Sequence, residues 1–197
     1  VAFFIFYPYN YFMNIVSAKF LKTIVGPDPL FLDGQPQIAF IGRSNVGKSS
    51  TINALTKQKG IAIVSAAPGR TQGLNAFLIN DNRYLIDLPG YGFAKLSKTD
   101  RGWLHDLINW YLFNPGFNQK IIVQIIDANI GPTTDDLELL QALEARGKNI
   151  LIIANKIDKI KKSEYFKKCQ EIKDLIGNHE ILFYSSKVGS GISEIID

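Results

Sequence analysis

The chain of 197 residues is 46% hydrophobic and 20% charged, a balance that suits one globular domain with a full-sized core and calls for no second domain. Its net charge of +4 fits a cytoplasmic protein working near polyanions but is too small an excess to identify a nucleic-acid binder. The single cysteine, Cys169, excludes an internal disulfide framework and a cysteine metal cluster, and His105 and His179 stand in no known metal spacing.

In chain order, residues 1–12 are aromatic and apolar, lack a basic leader region, contain Pro8 and Asn10, and are too short to span a bilayer as a helix. We read them as a non-native or over-extended segment preceding a single domain over 13–197. The rival reading, an interfacial anchor, is opposed by their lack of Lys and Arg. Ala18 to Ile24 is a short mixed segment, and Gly26-Pro27-Asp28-Pro29 is a breaker cluster. The first core strand is therefore Gln37-Ile38-Ala39-Phe40-Ile41, followed by a helix from about Gly47 to Thr56. Residues 61–75 include a small-residue stretch too long for a tight turn. Next, Ala76 to Ile79 and Tyr84 to Ile86 flank Asp81-Asn82, residues that tolerate positive φ, which predicts an antiparallel hairpin.

A helix is expected over Lys98 to Phe113, ended by Pro115-Gly116. Strand 121–126, a helix from about Thr134 to Ala145, strand 150–153, a helix from about Ser163 to Ile176 and strand 181–184 follow, with a last helix beginning near Gly191. Cys169 falls on the apolar side of its helix as a buried structural thiol, while the two histidines read as solvent-facing or capping residues. Near-continuous apolar strands between amphipathic helices indicate an α/β fold of three layers, its sheet mainly parallel with one antiparallel strand. Ligands on such sheets bind at the carboxyl ends of the strands.

Five loops follow that rule. Gly42-Arg43-Ser44-Asn45-Val46-Gly47-Lys48-Ser49 fits G-x-x-x-x-G-K-[ST] between a strand and a helix. The two glycines let backbone N–H groups converge on phosphate oxygens at the positive end of the helix. Lys48 adds charge at the β- and γ-phosphates, and the Ser49 hydroxyl is the expected Mg²⁺ ligand. Thr71, in the small-residue loop, offers a second hydroxyl to Mg²⁺ in the triphosphate state; Thr51 and Thr56 are set aside by their place in the helix. Asp87-Leu88-Pro89-Gly90 follows the hairpin, so that Asp87 can hold Mg²⁺ through water and the Gly90 N–H can meet the γ-phosphate.

Asn155-Lys156-Ile157-Asp158 selects a base. Guanine presents N1–H and N2–H₂ as adjacent donors that the Asp158 carboxylate can accept together, whereas adenine presents an acceptor. Lys156 can lay its alkyl stem over the ring, and Asn155 can tie this loop to the phosphate loop. In Ser185-Ser186-Lys187, the Ser186 N–H could donate to guanine O6.

These motifs stand in the order of the translation-factor-related (TRAFAC) P-loop GTPases. The strings Gly42 to Ser50, Pro68-Gly69-Arg70-Thr71-Gln72, Asp87-Leu88-Pro89-Gly90-Tyr91-Gly92-Phe93-Ala94 and Asn155 to Asp158 resemble the EngB family, also called YihA or YsxC; Met13 to Phe20 resembles that family's start. The resemblance implies a Ras-like P-loop GTPase fold, a monomeric cytoplasmic protein without a membrane association, and GTP hydrolysis as a switch in assembly of the bacterial large ribosomal subunit. It also implies nucleotide contacts from Ser50, Pro68, Gly69, Arg70, Leu88, Pro89 and Lys187 besides the residues above. Family annotation further mentions cell division and septation.

Where Ras-like enzymes carry a water-positioning Gln, this chain has Tyr91, so unaided hydrolysis should be slow. Similar GTPases use a phosphate-loop Asn to help hold K⁺ in the manner of an arginine finger, which assigns Asn45 beside Lys48 and Thr71 to catalysis. Lys95, Lys98 and Arg101 place positive charge next to the second switch region, a surface suited to ribosomal RNA. The competing readings are a module that reports nucleotide state to a division partner, with incidental hydrolysis, and an ATPase.

Overall fold

The computed structural model describes residues 15–63, 73–92 and 97–191. The start near Met13, the loop holding Pro68, Gly69, Arg70 and Thr71, residue Lys95 and a helix after Gly191 lie outside the described residues.

One seven-stranded sheet organises the chain, in the order β1-β3-β4-β2-β5-β6-β7. The strands are β1 (Ala18–Ile24), β2 (Gln37–Gly42), β3 (Leu74–Ile79), β4 (Arg83–Asp87), β5 (Gln119–Asp127), β6 (Ile150–Asn155) and β7 (Ile181–Phe183). β3 runs against both its neighbours, and the pairs β4·β2, β2·β5, β5·β6 and β6·β7 are parallel. The expected mainly parallel sheet with one antiparallel strand is what forms, and the carboxyl ends of β4, β2, β5, β6 and β7 consequently share one edge.

Ala18–Ile24 corrects the reading of a mixed segment: it is the edge strand β1, with a register shift between Phe20 and Lys22. Most of its side chains are half-buried or exposed, so no local alternation announces it. Main-chain pairing to β3, more than 50 residues later, makes it a strand, and its Lys19 and Lys22 suit an unpaired outer edge. In the hairpin, positive φ falls on Asn80 (50°) and Asp81 (56°), one residue earlier than expected. The Asn80 side chain explains the shift, since its Oδ1 accepts from the N–H groups of Val16 and Ser17 at 2.9 and 3.1 Å and ties the corner to the chain entering β1.

The helices are α1 (Lys48–Leu55), α2 (Lys98–Phe113), α3 (Thr134–Glu144) and α4 (Tyr165–Ile176). Ile38, Phe40, Val123, Ile125, Leu151 and Ile153 face the α1 side, where they pack with Ile52 and Leu55. Ala39, Ile41, Ile86 and Ile122 face the other side and meet Leu104, Leu107, Ile108 and Tyr111 of α2. Further along that face, Ile126, Ile152 and Ala154 pack against Leu140 of α3 and Ile172 and Ile176 of α4. Every residue of β2 is buried, as a central parallel strand covered on both faces requires. At the end remote from the loops, Phe31 packs on Trp110, Tyr111 and Phe117 with ring centroids 5.0 to 5.8 Å apart. The buried Gln37 beside them is satisfied, accepting from the Tyr111 hydroxyl at 3.0 Å and donating to the Phe31 carbonyl at 3.3 Å. Among the described residues, no helix is long and apolar enough to cross a membrane.

Candidate functional site

The first loop at the shared edge begins where β2 ends. A Cβ on Gly42 would strike the Ile125 carbonyl on the neighbouring strand, so only glycine allows β2 and β5 to approach here. Gly47 has φ 101° and caps α1; a Cβ there would collide with the Asn155 side-chain amide. Between them Val46 is buried in the core, and Asn45, at φ 63°, is exposed. Lys48, Ser49 and Ser50 form the first turn of α1, whose leading N–H groups have no partners within the helix and carry the positive end of its dipole.

Asp87 closes β4, the strand beside β2, and Leu88 continues the pairing through its N–H to the Phe40 carbonyl at 2.9 Å. The Asp87 carboxylate forms an ion pair with Lys48, both side chains being buried. Gly90 lies flush against the first loop, where a Cβ would stand 3.0 Å from the Ser44 nitrogen. Tyr91 donates its N–H to the Gly42 carbonyl at 3.3 Å and accepts from the Ser44 N–H at 3.0 Å, which adds a short parallel bridge to the sheet edge. Its hydroxyl donates to Asp136 Oδ1 at 2.6 Å. Burial above all, and then the Asp136 charge, pushes the phenol well above its ordinary range, so it remains a donor throughout the physiological pH range.

The third and fourth loops meet the first one directly. Asn155, fully buried at the end of β6, donates to the Val46 carbonyl at 2.8 Å and to Ser186 Oγ at 3.2 Å. Lys156, at φ 70°, donates to the Asn45 carbonyl and to Asp127 Oδ2, both at 2.7 Å. The Ser185 hydroxyl donates to Asp158 Oδ1 at 2.5 Å and accepts from the Val188 N–H at 3.3 Å. Lys48 and Asp158 therefore belong to one continuous rim. The Ser186 N–H, expected to face guanine O6, here donates to Asn155 Oδ1 at 3.0 Å, the carbonyl half of an amide already held in place by Val46.

Three residues in or beside this constellation escaped the sequence reading. Asp127, which braces Lys156, is the last residue of β5, one beyond the expected strand end; an acid closing an apolar strand at the ligand edge was the available signal. Gln124 and Asp136, which surround the Tyr91 hydroxyl, look in sequence like an ordinary strand residue and an ordinary helix-start acid. Gln124 Nε2 donates to the Asp136 carbonyl at 2.7 Å and to the Tyr91 hydroxyl at 3.3 Å. Asp136 also accepts from Thr133, through the N–H at 2.8 Å and the hydroxyl at 2.7 Å, at the head of α3.

A cavity of about 550 Å³ lies next to this cluster, between α2 and α3, with Gly90, Tyr91 and Gly92 at one end and Leu104, Ile108 and Leu139 among its walls. Elsewhere the expectations for Cys169 and His105 hold. Cys169 is buried, and burial raises its thiol above the ordinary range. His105 is exposed, whereas His179 departs from the expected solvent-facing or capping role: it is half-buried and its ring pairs with the Glu144 carboxylate from α3. Among the described residues, no cluster of three or more His, Cys, Asp or Glu is placed to hold a metal.

The arrangement can cradle a chain of phosphates over the start of α1 and offer a carboxylate to paired donors some distance along the rim. A protein-family model described as "50S ribosome-binding GTPase" matches residues 37–156. The protein named "Probable GTP-binding protein EngB" in Clostridium perfringens (strain 13 / Type A) is 40% identical over 188 residues, covering 94% of this chain and 95% of that protein. Among solved structures, a crystal structure of a probable GTP-binding protein EngB superposes with a TM-score of 0.67 at 26% identity, covering 81% of this chain and 94% of the other. Era, in complex with MgGDPNP and nucleotides 1506–1542 of 16S ribosomal RNA, gives a TM-score of 0.65 at 26% identity, covering 82% of this chain and 55% of Era. The described layers are those of the Ras-like α/β fold, and with the matched GTPase domain and this relative spanning nearly its whole length, the chain belongs to the EngB family of GTP-binding proteins.

Proposed function

We propose that this protein hydrolyses GTP to GDP and phosphate as a switch in assembly of the large ribosomal subunit of bacteria. The observation that carries the reading is the bond from Asn155 to the Val46 carbonyl, which joins the loop bearing Asp158 to the loop bearing Lys48. A single ligand with a guanine at one end and phosphates at the other would span the two. Gly42 to Ser50 and Lys48 would hold the phosphates, with Gly90 turned to the γ-phosphate. Asp158, with Asn155, Lys156 and the Ser185 to Lys187 loop, would hold the base. The description of the matched domain as a 50S ribosome-binding GTPase supports the large-subunit role; Era, whose bound RNA belongs to the 16S molecule, supports contact with ribosomal RNA in general and not the choice of subunit.

Mg²⁺ fits the residues available. The Ser49 hydroxyl and the Asp87 carboxylate are hard oxygen donors beside Lys48, the donor type Mg²⁺ takes when phosphates and water complete its shell. Ser49 would bind it directly and Asp87 through water, with Thr71 as the further hydroxyl of the triphosphate state; bound there, it would neutralise phosphate charge. The ion pair of Lys48 with Asp87 ties the two groups that share this task. Asn45 is exposed on the same loop as Lys48, held by Lys156, and we assign it to K⁺, which would compensate for a Tyr91 in the place of a water-positioning Gln, its hydroxyl bonded to Asp136.

Two measurements test the reading. A competition assay with labelled GTP should show displacement by GDP and not by ATP; equal displacement by ATP would overturn it. Co-sedimentation with 50S particles should require a non-hydrolysable GTP analogue and weaken with salt. Binding to a septal protein with none to ribosomes would move the function to cell division. Hydrolysis should run faster in K⁺ than in Na⁺ and lose that difference in Asn45→Ala; equal rates in the two ions would remove the K⁺ assignment alone.

A further inference from the structure

Tyr91 follows directly on the glycine expected to meet the γ-phosphate, and its hydroxyl is bonded to protein groups, Asp136 and Gln124. The residue spans two fixed structures. Its backbone is bonded on both sides to the first loop, at Gly42 and Ser44, and its hydroxyl reaches Asp136. That carboxylate, only 3% exposed, is itself immobilised, because its second oxygen accepts both donors of Thr133. Gln124, 1% exposed in the middle of β5, donates to the Tyr91 hydroxyl and to the Asp136 carbonyl and closes the cluster. The Tyr91 ring borders the cavity between α2 and α3, so close packing covers it incompletely and the hydroxyl carries more of the anchoring.

We propose that Tyr91 is a positioning residue for the γ-phosphate: anchored on Asp136 and Gln124, its hydroxyl sets where the Gly90 N–H stands against the phosphate loop and thereby sets the preference for triphosphate over diphosphate. This rests on the GTP-switch reading above. The physical chain is short. The Gly90 to Tyr91 peptide is shared between the loop that meets the γ-phosphate and a side chain pinned to α3. Releasing the pin lets that peptide sample more positions, and ordering it again on binding costs affinity only for a ligand that uses it. GDP does not reach Gly90.

The test is equilibrium binding of fluorescent GDP and a fluorescent non-hydrolysable GTP analogue to the wild-type chain, Tyr91→Phe, Asp136→Ala and the double variant. Tyr91→Phe removes one hydrogen bond to a buried carboxylate, so the triphosphate analogue should weaken about tenfold while GDP stays within about twofold. The double variant should lose clearly less than the sum of the two single losses, because both changes break the contact between the Tyr91 hydroxyl and Asp136. Equal losses for both nucleotides would mean that the hydroxyl only stabilises the fold, and additive losses would mean that Tyr91 does not act through Asp136; either overturns the proposal. If Asp136→Ala fails to fold for want of its cap, the ratio in Tyr91→Phe decides alone. A wild-type chain that binds neither nucleotide defeats the GTP reading and this proposal with it; tight wild-type binding with an unchanged ratio in Tyr91→Phe defeats this proposal only.

Discussion

Asp158 presents a carboxylate steadied by the Ser185 hydroxyl, and in the proposed role it would matter for the bases it refuses as much as for the one it binds. Replacing it with Asn exchanges an acceptor pair for one acceptor and one donor. We expect Asp158→Asn to weaken GTP roughly 100-fold, the loss of about two charge-assisted hydrogen bonds, and to improve binding of a purine nucleotide with a carbonyl at C2, both read by competition titration. Unchanged GTP affinity would show that the base does not meet this residue. Cys169 makes a plainer case: burial raises its thiol, so the reactive thiolate is scarce in the native state. Its alkylation by iodoacetamide at pH 8 should be slow until urea unfolds the chain, and rapid labelling of the folded protein would contradict that burial. The residues that carry charge or a fixed turn, Lys48, Asp87 and Gly47, were legible in the sequence because their chemistry has few substitutes. Gln124 and Asp136 were not, since a Gln in an apolar strand and an Asp in a helix's first turn are ordinary until the fold sets a tyrosine between them.

The elements differ in how much of their reason is local. α2 forms over its expected span because Ser97 caps it, accepting from the Asp100 N–H at 3.1 Å, and Pro115-Gly116 stops it. α3 owes its start to Thr133 and Asp136, and Thr133→Ala should cost about 1 kcal/mol in urea unfolding. The aromatic group on Phe31 is a stronger case. Phe31 lies in the short 3-10 turn Pro29–Leu32, yet it is 1% exposed because Trp110, Tyr111 and Phe117 enclose it. Phe31→Ala should destabilise the chain by about 3–5 kcal/mol with little effect on nucleotide specificity, since it sits at the end of the sheet opposite the loops. A change under 1 kcal/mol in urea unfolding would show that this cluster contributes little. β1 is the contrary example, because its strand pairing is all with β3 and most of its own residues are half-buried or exposed.

On the scale of the molecule, the site is a property of the sheet's edge, and its ligand should act on the whole fold. A nucleotide that bridges Lys48 and Asp158 joins loops from β2, β4, β6 and β7, so GDP or GTP with Mg²⁺ should raise the unfolding temperature. Free ligand at 100 times its dissociation constant corresponds to about 2.7 kcal/mol, and EDTA should remove part of the shift. ATP giving an equal shift would argue against a guanine site. The sequence alone was enough to establish the α/β class, the placing of each core strand and most helices to within a few residues, and the motifs at the strand ends, because hydrophobic periodicity and phosphate chemistry both act over short stretches of chain. Only the folded sheet could establish that Ala18–Ile24 pairs at its edge, that Asp127 braces Lys156, and that the Tyr91 hydroxyl turns to Asp136. Each of these joins residues dozens of positions apart, and the energy of such a contact exists only once the strands between them have been brought side by side.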